Sequence, residues 1–581
     1  MGVSPAIFES AGQRSEHYVP GVYGRSFNVS SPSGISAGNL CIMGKSNGGE
    51  PYKMLEFGSL ADAQQALVGG ELLDAIAYAF SASNTYIPSK VYAMRVNNGT
   101  QSSITLTSGA TDLIKLKSWD WGVHTNQLKI FIANGTIANS KKIKLAYKDK
   151  EEVVDNIINA ALEVNYLGEG VSPVVSVGTD SISFGAVTDV EAPDTPEPID
   201  TLTVSFADFD TLDALCAYIL NETDAWSVDV VGNNSELKSV KLDTVTNVAV
   251  AETGTTLYAN FDAFLTAINS MEYIGSVELL STTTRQVPDN TDAYVYFTGG
   301  TIGSYTTLQW TDALNALELE DVQIIATPST DFAVHTMISQ HCTSMSNVMN
   351  RKERTCILGG VVGMTDSAAT QAAQDLNNKL VSFCCDNPIK VNILTGKTET
   401  LSGAMLGVML AAMESSMSPN NPLTFKVLNI LGFTKIRNVT NITSLIKAGI
   451  MVCNSNPENL SEYICIRALT TFQGDDLINN ERSMVREDLF MNRDLRAQYK
   501  PIIGTPGTTA NAVIATLKDK AKEWALNGYI VPSDSNENVW DIKVRIDGDK
   551  VYLTFSRYLT APVNFVFITA INHIYTSTVE L

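Results

Sequence analysis

The sequence predicts an α/β (α+β) fold: a core domain with a mixed sheet, formed by both ends of the chain, plus inserted mainly-β protruding domains. Three observations carry this. Apolar strand-like runs alternate with helical patterns at 38–97 and again from 297. Between these blocks, short Thr/Val/Ser strands recur with turn residues. The last run of the chain, Val563–Tyr575, is apolar on both faces.

The chain has 581 residues, room for several cores, and an ordinary globular 44% hydrophobic content. A net charge of −22 argues against phosphate contacts with nucleic acid and against adhesion to anionic membranes. Met1–Pro20 has no basic-then-apolar leader, and the longest apolar run, Ala404–Ala412, is too short to span a bilayer. The eight cysteines include no CxxC and read as buried reduced thiols of a cytosolic product.

Residues 1–37 are Ser/Gly/Pro-rich and read as an extended arm. In 38–97, Leu40–Met43 reads as a strand, Ser59–Leu67 and Glu71–Phe80 as helices, and Lys90–Val96 as a strand. Residues 98–296 form the insertion, with strands such as SITLT and QLKIFIA. The acidic, Pro-rich Thr188–Asp200 is read as a linker between two sub-domains. This block holds 28 acidic and 11 basic residues, so −17 of the net charge sits there; it is best placed facing water.

From Ala293 the alternation resumes: Ala293–Phe297, a helix bearing Trp310, Leu314 and Leu317, the strand Val322–Ala326, and the helix Phe332–Ser344. The strand Cys356–Val362, the helix Asp366–Leu380 and the strand Ile389–Leu394 follow. Blocks 38–97 and 297–461 therefore read as one interrupted domain. In 462–561, Tyr463–Leu469 is a strand, and Ser483–Tyr499 and Ala512–Asn527 are helices. Trp540–Ile546 and Val551–Phe555 alternate around Asp547-Gly548-Asp549, a hairpin. The tail 562–581 holds Val563–Tyr575. That strand is either the centre of the chain's own sheet or the completion of a neighbour's.

No catalytic constellation, metal site or cofactor site is predicted. Gly44-Lys45-Ser46 lacks the spacing of a phosphate loop and reads as a strand-to-loop turn. His335 and His341 are six apart without the HExxH glutamate. Cys384-Cys385 read as small buried hydrophobes, and Asp475-Asp476 as a loop. One feature stands out: between Ser415 and Pro457 there are four basic residues, Lys426, Lys435, Arg437 and Lys447, and no acidic ones. With Lys518, Lys520 and Lys522 they mark a candidate surface for an acidic partner.

The stretch LCIMGKSNGGEPYKMLEFGSLADAQQALVGGELLDAIAYAF…KVYAMRV (40–96) resembles the opening of the sheath domain in contractile-tail sheath proteins. The large sheaths of myophages infecting Gram-positive hosts come nearest, notably in GGEP and GELLDAI. FTGGTIGSYTTLQWTDALNALELEDVQIIATPSTD (297–331) is similar to the point where that domain resumes, and NRDLRAQYKPIIGTPGTTANAVIATLKDKAKEWALNGYI (492–530) to the C-terminal module.

The resemblance implies a homo-oligomer: hexameric rings stacked as a helical polymer around an inner tail tube, capped by baseplate and tail terminator. It implies no direct nucleic-acid contact, no membrane insertion, and a place in the virion tail after assembly in the host cytoplasm. It implies that the terminal arms exchange strands between subunits. The candidates are Val563, Phe565, Phe567, Ile568, Ile571, Ile574 and Tyr575 at one end, and Val22 and Tyr23 at the other. It implies a tube-facing C-terminal module, with candidate basic residues Lys518, Lys520, Lys522, Lys435, Arg437 and Lys447. The rival readings are an inner tube or capsid-like shell, for which the chain is long, a hydrolase lidded by the insertion, and the sheath of another contractile injection system.

Overall fold

The computed structural model describes residues 6–10, 13–17, 38–190 and 195–573. Two compact units emerge. One comprises the chain up to Ser46, Pro51–Asn98 and Ser304 onward; the other comprises Asn47–Glu50 and Gly99–Gly303. The backbone of Ala6–Ser10 pairs antiparallel with Gln13–His17.

The first unit is built on a six-stranded mixed sheet. Its strands are β1 (Leu40–Gly44), β2 (Met54–Phe57), β3 (Val91–Arg95), β4 (Ile324–Ala326), β5 (Thr355–Gly359) and β6 (Val381–Cys384), in the order β6-β5-β4-β1-β3-β2. All neighbours run parallel except β2 against β3. Leu40 lies opposite Ile324, so the central pairing joins segments from either side of the insertion. β1, β4, β5 and β6 are buried along their whole length, as a parallel sheet covered on both faces demands.

One face of the sheet is covered by α1 (Leu60–Leu67), α2 (Glu71–Phe80) and α3 (Gly403–Ser415). The Ser59 hydroxyl caps α1, accepting from the Asp62 amide at 3.2 Å. The Ala404–Ala412 run lies inside α3, which is buried on nearly every side. A Cβ on Gly359 would stand 2.2 Å from the Gly403 carbonyl, so the start of α3 rests directly on β5. The helices Thr307–Leu317, Phe332–Met345 and Asp366–Leu376 cover the other face.

Three expectations are corrected. The helix read as Asp366–Leu380 stops at Leu376 because Asn377 turns left-handed (φ 33), which frees Val381–Cys384 as an edge strand missed in the sequence. Pro388–Val391 instead joins a separate small sheet with Thr398–Thr400 and Gly432–Phe433. Val295–Tyr296 pairs with Lys129–Asn134, so this strand belongs to the inserted unit.

The inserted unit has two antiparallel lobes. The first packs a four-stranded and a three-stranded sheet with the helix Asn260–Asn269 around Ile130, Ile143 and Phe264. The second, residues 160–259, packs two further sheets and the helix Leu212–Glu222 around Leu162, Phe184 and Trp226. Thr188–Asp200 does not divide the lobes: Val187 pairs with Pro198, so the strands on either side belong to one sheet of the second lobe, and Pro198–Asp200 are already part of the later strand.

The C-terminal module hangs on α4 (Arg482–Tyr499). Arg482 is 1% exposed and uses every N–H donor it has. Nε and Nη2 form a bidentate pair with Glu414 of α3 at 2.8 and 2.7 Å. Nη1 donates to Cys356 O and Ser382 Oγ, and Nη2 also to Thr355 Oγ1. One side chain thus ties α4 to α3, β5 and β6. Arg482 and Arg486 together hold the Glu414 carboxyl below its usual range despite complete burial. Arg482→Met is expected to lower stability by about 3 kcal/mol, because it leaves the buried Glu414 carboxylate with Arg486 alone. The triple change Arg482→Met, Arg486→Met, Glu414→Leu, which removes all three buried charges, should recover most of that loss, read as the midpoint of urea unfolding.

Candidate assembly surface

Beyond α4, the Thr509 hydroxyl caps α5 (Ala510–Leu526), which packs Leu517, Ala521 and Trp524 against Phe490 and Met491 of α4. The Trp524 indole donates to Asp494 at 2.8 Å. Then come β7 (Trp540–Asp547) and β8 (Lys550–Ser556), a hairpin whose Gly548 takes φ 61 in the two-residue turn. Ile542, Leu553 and Phe555 pack against the module core; the other face is exposed. Among the described residues this sheet has two strands only, so both its edges are open.

The chain is next pinned across α4. Arg557 pairs with Asp488 at 2.7 Å, and Tyr558–Leu559 pairs with Ile530–Val531. Thr560 donates its amide to Tyr529 O at 3.3 Å and its hydroxyl to Gly528 O at 2.7 Å. Asn564 donates to the buried Glu481 carboxylate at 3.2 Å. After that the Arg467 guanidinium still lies 5.7 Å from the Phe565 ring. Through residue 573 the chain carries no helix or strand, and among the described residues no backbone–backbone hydrogen bond holds 561–573. Val563, Phe565, Val566, Phe567, Ile568 and Ile571 are 66–92% exposed. The expected strand is therefore not the centre of the chain's own sheet. Ile574, Tyr575, Val22 and Tyr23 lie outside the described residues.

The six candidate basic residues separate into two kinds. Lys518, Lys522 and Lys447 are exposed, Lys522 beside Asp519 at 3.1 Å. Lys435 is more than half exposed and reaches Asp366 at 3.0 Å. Arg437 and Lys520 do not offer charge to solvent. Arg437, 3% exposed, is held between Asp366 and Asp386. Lys520, 6% exposed, is held between Asp494 and Glu523, both at 2.8 Å. Two of the four basic residues of 415–457 thus find acids brought in from elsewhere, which linear composition cannot reveal.

The residues singled out for chemistry are structural. His335 bonds Ser329 O at 2.9 Å, and His341 accepts from Arg354 at 2.7 Å; burial pushes its pKa down to about 4. All eight cysteines are buried and unbridged.

Missed in the sequence were the buried groups of α4. Arg482, Arg486, Arg493 and Arg496 bond Glu414, Asp321 and Glu353. Their spacing of four, seven and three was a readable helical stripe. Glu487 is fully buried, and neither carboxylate oxygen has a hydrogen-bond partner. Burial raises its pKa to about 8, only partly opposed by Arg557 and by the nearby Thr560 amide.

No family model matches the sequence. Curated relatives do, over most of the chain. A tail sheath protein of Bacillus phage SP01 is 24% identical over 96% of this chain and 95% of its own. One of Staphylococcus phage Twort is 24% identical over 84% and 86%. The chain is a homologue of phage tail sheath proteins. The fold agrees. The sheath tail protein of Listeria innocua superposes with a TM-score of 0.53 at 12% identity, over 90% of this sheath homologue and 95% of that chain. That of Desulfitobacterium hafniense gives 0.50 at 13% identity, over 93% and 100%.

Glu487 yields a pH prediction for the sheath homologue. Its folded pKa lies above the unfolded value, so the cost of keeping it protonated grows as pH rises from about 4.5 to 8. Glu487→Gln should therefore gain on the wild type by about 2–3 kcal/mol between pH 5 and 7.5, a rise of several degrees in relative Tm. A difference independent of pH would contradict this assignment.

Proposed function

We propose that the chain is the structural subunit of a contractile phage tail sheath, polymerising as stacked hexameric rings around the inner tail tube. The tube protein is its lateral partner, and the baseplate and tail terminator bound the polymer. Assembly takes place in the host cytoplasm, and the product resides in the virion tail. The homologues are structural proteins, and no catalytic role is assigned.

One observation carries the reading: the exposed run Val563–Ile571, with apolar side chains on both faces and, among the described residues, no backbone–backbone hydrogen bond. An exposed apolar segment of this kind marks an interaction site. On the open edge of a neighbour's β7–β8 hairpin, its amides would enter a ladder. Each apolar side chain fully buried there would contribute about 1.5–3 kcal/mol, against about 1–2 kcal/mol per residue for ordering the backbone. The N-terminal arm, with Val22 and Tyr23, takes the same role at the other end.

Contraction then follows physically. The extended lattice is metastable, and subunits rotate as near-rigid bodies to a state with more buried intersubunit surface. The exchanged arms keep neighbours joined during the movement, while the tube is driven through the host envelope. Tube contacts made by exposed charges such as Lys518, Lys522 and Lys447 are weak enough to break.

Truncation after Ala561 tests the reading. The shortened chain should keep its fold by circular dichroism and sediment as a monomer under conditions where the full chain polymerises. Polymers of normal length from the truncated chain would refute it.

A further inference from the structure

Charge within the inserted unit is laid out unevenly. The second lobe, residues 160–259, holds 17 acidic and two basic residues. Eight of the unit's eleven basic residues lie between Lys115 and Lys150. In the four-stranded sheet of the first lobe, Ile130, Ile132, Ile143 and Leu145 enter the core. Alternation along these strands puts Lys129, Phe131, Lys142 and Lys144 on the opposite face.

Two tyrosines extend that face. The Tyr294 ring lies 5.7 Å from Phe131, and Lys129 Nζ sits 4.7 and 5.8 Å from the Tyr294 and Tyr296 rings. Lys142 is paired with Asp155 at 2.7 Å. Lys129 and Lys144 have no carboxylate partner among the described residues. The result is a face of three lysines and aromatic rings on an otherwise acidic unit, with Asp155 beside Lys142 and Glu151 accepting from the Tyr294 hydroxyl. On the acidic lobe, Glu222, Asp224 and Asp229 are exposed, with Leu220 among them.

We propose that this lysine face docks on the acidic lobe of the same unit in a second copy of the chain. The inference deepens the polymer reading above and rests on it. The two surfaces are different patches of one unit, so the contact is heterologous and propagates from copy to copy rather than closing as a dimer. That is the geometry of an open helical assembly. Exposed charge pairs steer and orient more than they bind, and salt screens them. A lateral contact of this kind can be broken and remade as subunits rotate, and the aromatic rings add apolar area to it.

The test uses the full chain and its critical concentration for polymerisation, followed by light scattering in 50 and 500 mM NaCl. K129E/K144E is expected to raise the critical concentration about fivefold at low salt, with little difference at high salt. E222K/D224K should show the same defect. A one-to-one mixture of the two variants should assemble better than either alone, since the reversed charges then face one another. Unchanged assembly of K129E/K144E, or a mixture with no rescue, overturns the proposal. So does a K129E/K144E chain that assembles normally but loses binding to dextran sulfate, which would assign the face to a polyanion. Wild-type chains that never polymerise contradict the sheath reading instead. The same variants are then compared by osmotic second virial coefficient at low salt: attraction lost in each and restored in the mixture supports the contact, and identical values overturn it.

Discussion

The fold of the first unit depends on one buried cation. Arg482 meets two carboxylate oxygens, one backbone carbonyl and two hydroxyls, and these groups come from α3, β5 and β6. A guanidinium at 1% exposure is tolerable only because every donor is satisfied. A hydrophobic contact in the same place would be indifferent to angle. The five-donor fork fixes the direction in which α4 leaves the sheet, and everything after residue 482 inherits that direction.

What it inherits is a mounting for the terminal arm. Arg557 on Asp488, the short pairing at Tyr558–Leu559 and Asn564 on Glu481 lead the chain across α4 and release it at Phe565. From Phe565 the chain spends five large apolar side chains on solvent. An isolated fold gains nothing from this arrangement. Under the proposed function it supplies the link between subunits, and the same module carries the open-edged hairpin able to accept such a link.

Much of this was legible in the residues. Central strands announce themselves as apolar runs, and Leu40–Gly44 and Thr355–Gly359 are buried throughout. The long amphipathic helix Ala510–Leu526 and the hairpin around Gly548 follow from periodicity and turn chemistry, which are local. The arm was legible as an apolar run, though not its lack of backbone partners among the described residues, since pairing is a property of the whole fold. The basic residues failed for the same reason. Arg437 looks free in sequence and Lys520 is offset there only by Asp519 and Glu523, yet Asp366, Asp386 and Asp494 arrive beside them from distant positions. Val381–Cys384 was hidden because the end of the preceding helix depends on Asn377 turning left-handed, which its neighbours do not signal.

The claim at the centre is that Val563–Ile571 finds its hydrogen-bond partners on another copy of the chain. Amide hydrogen exchange of this segment, measured in the dispersed chain and in the assembled polymer, addresses it directly. The account predicts exchange near the unprotected rate in the dispersed chain and strong protection on assembly. Amides that stay unprotected in the polymer, or that are already protected in the monomer, would contradict it.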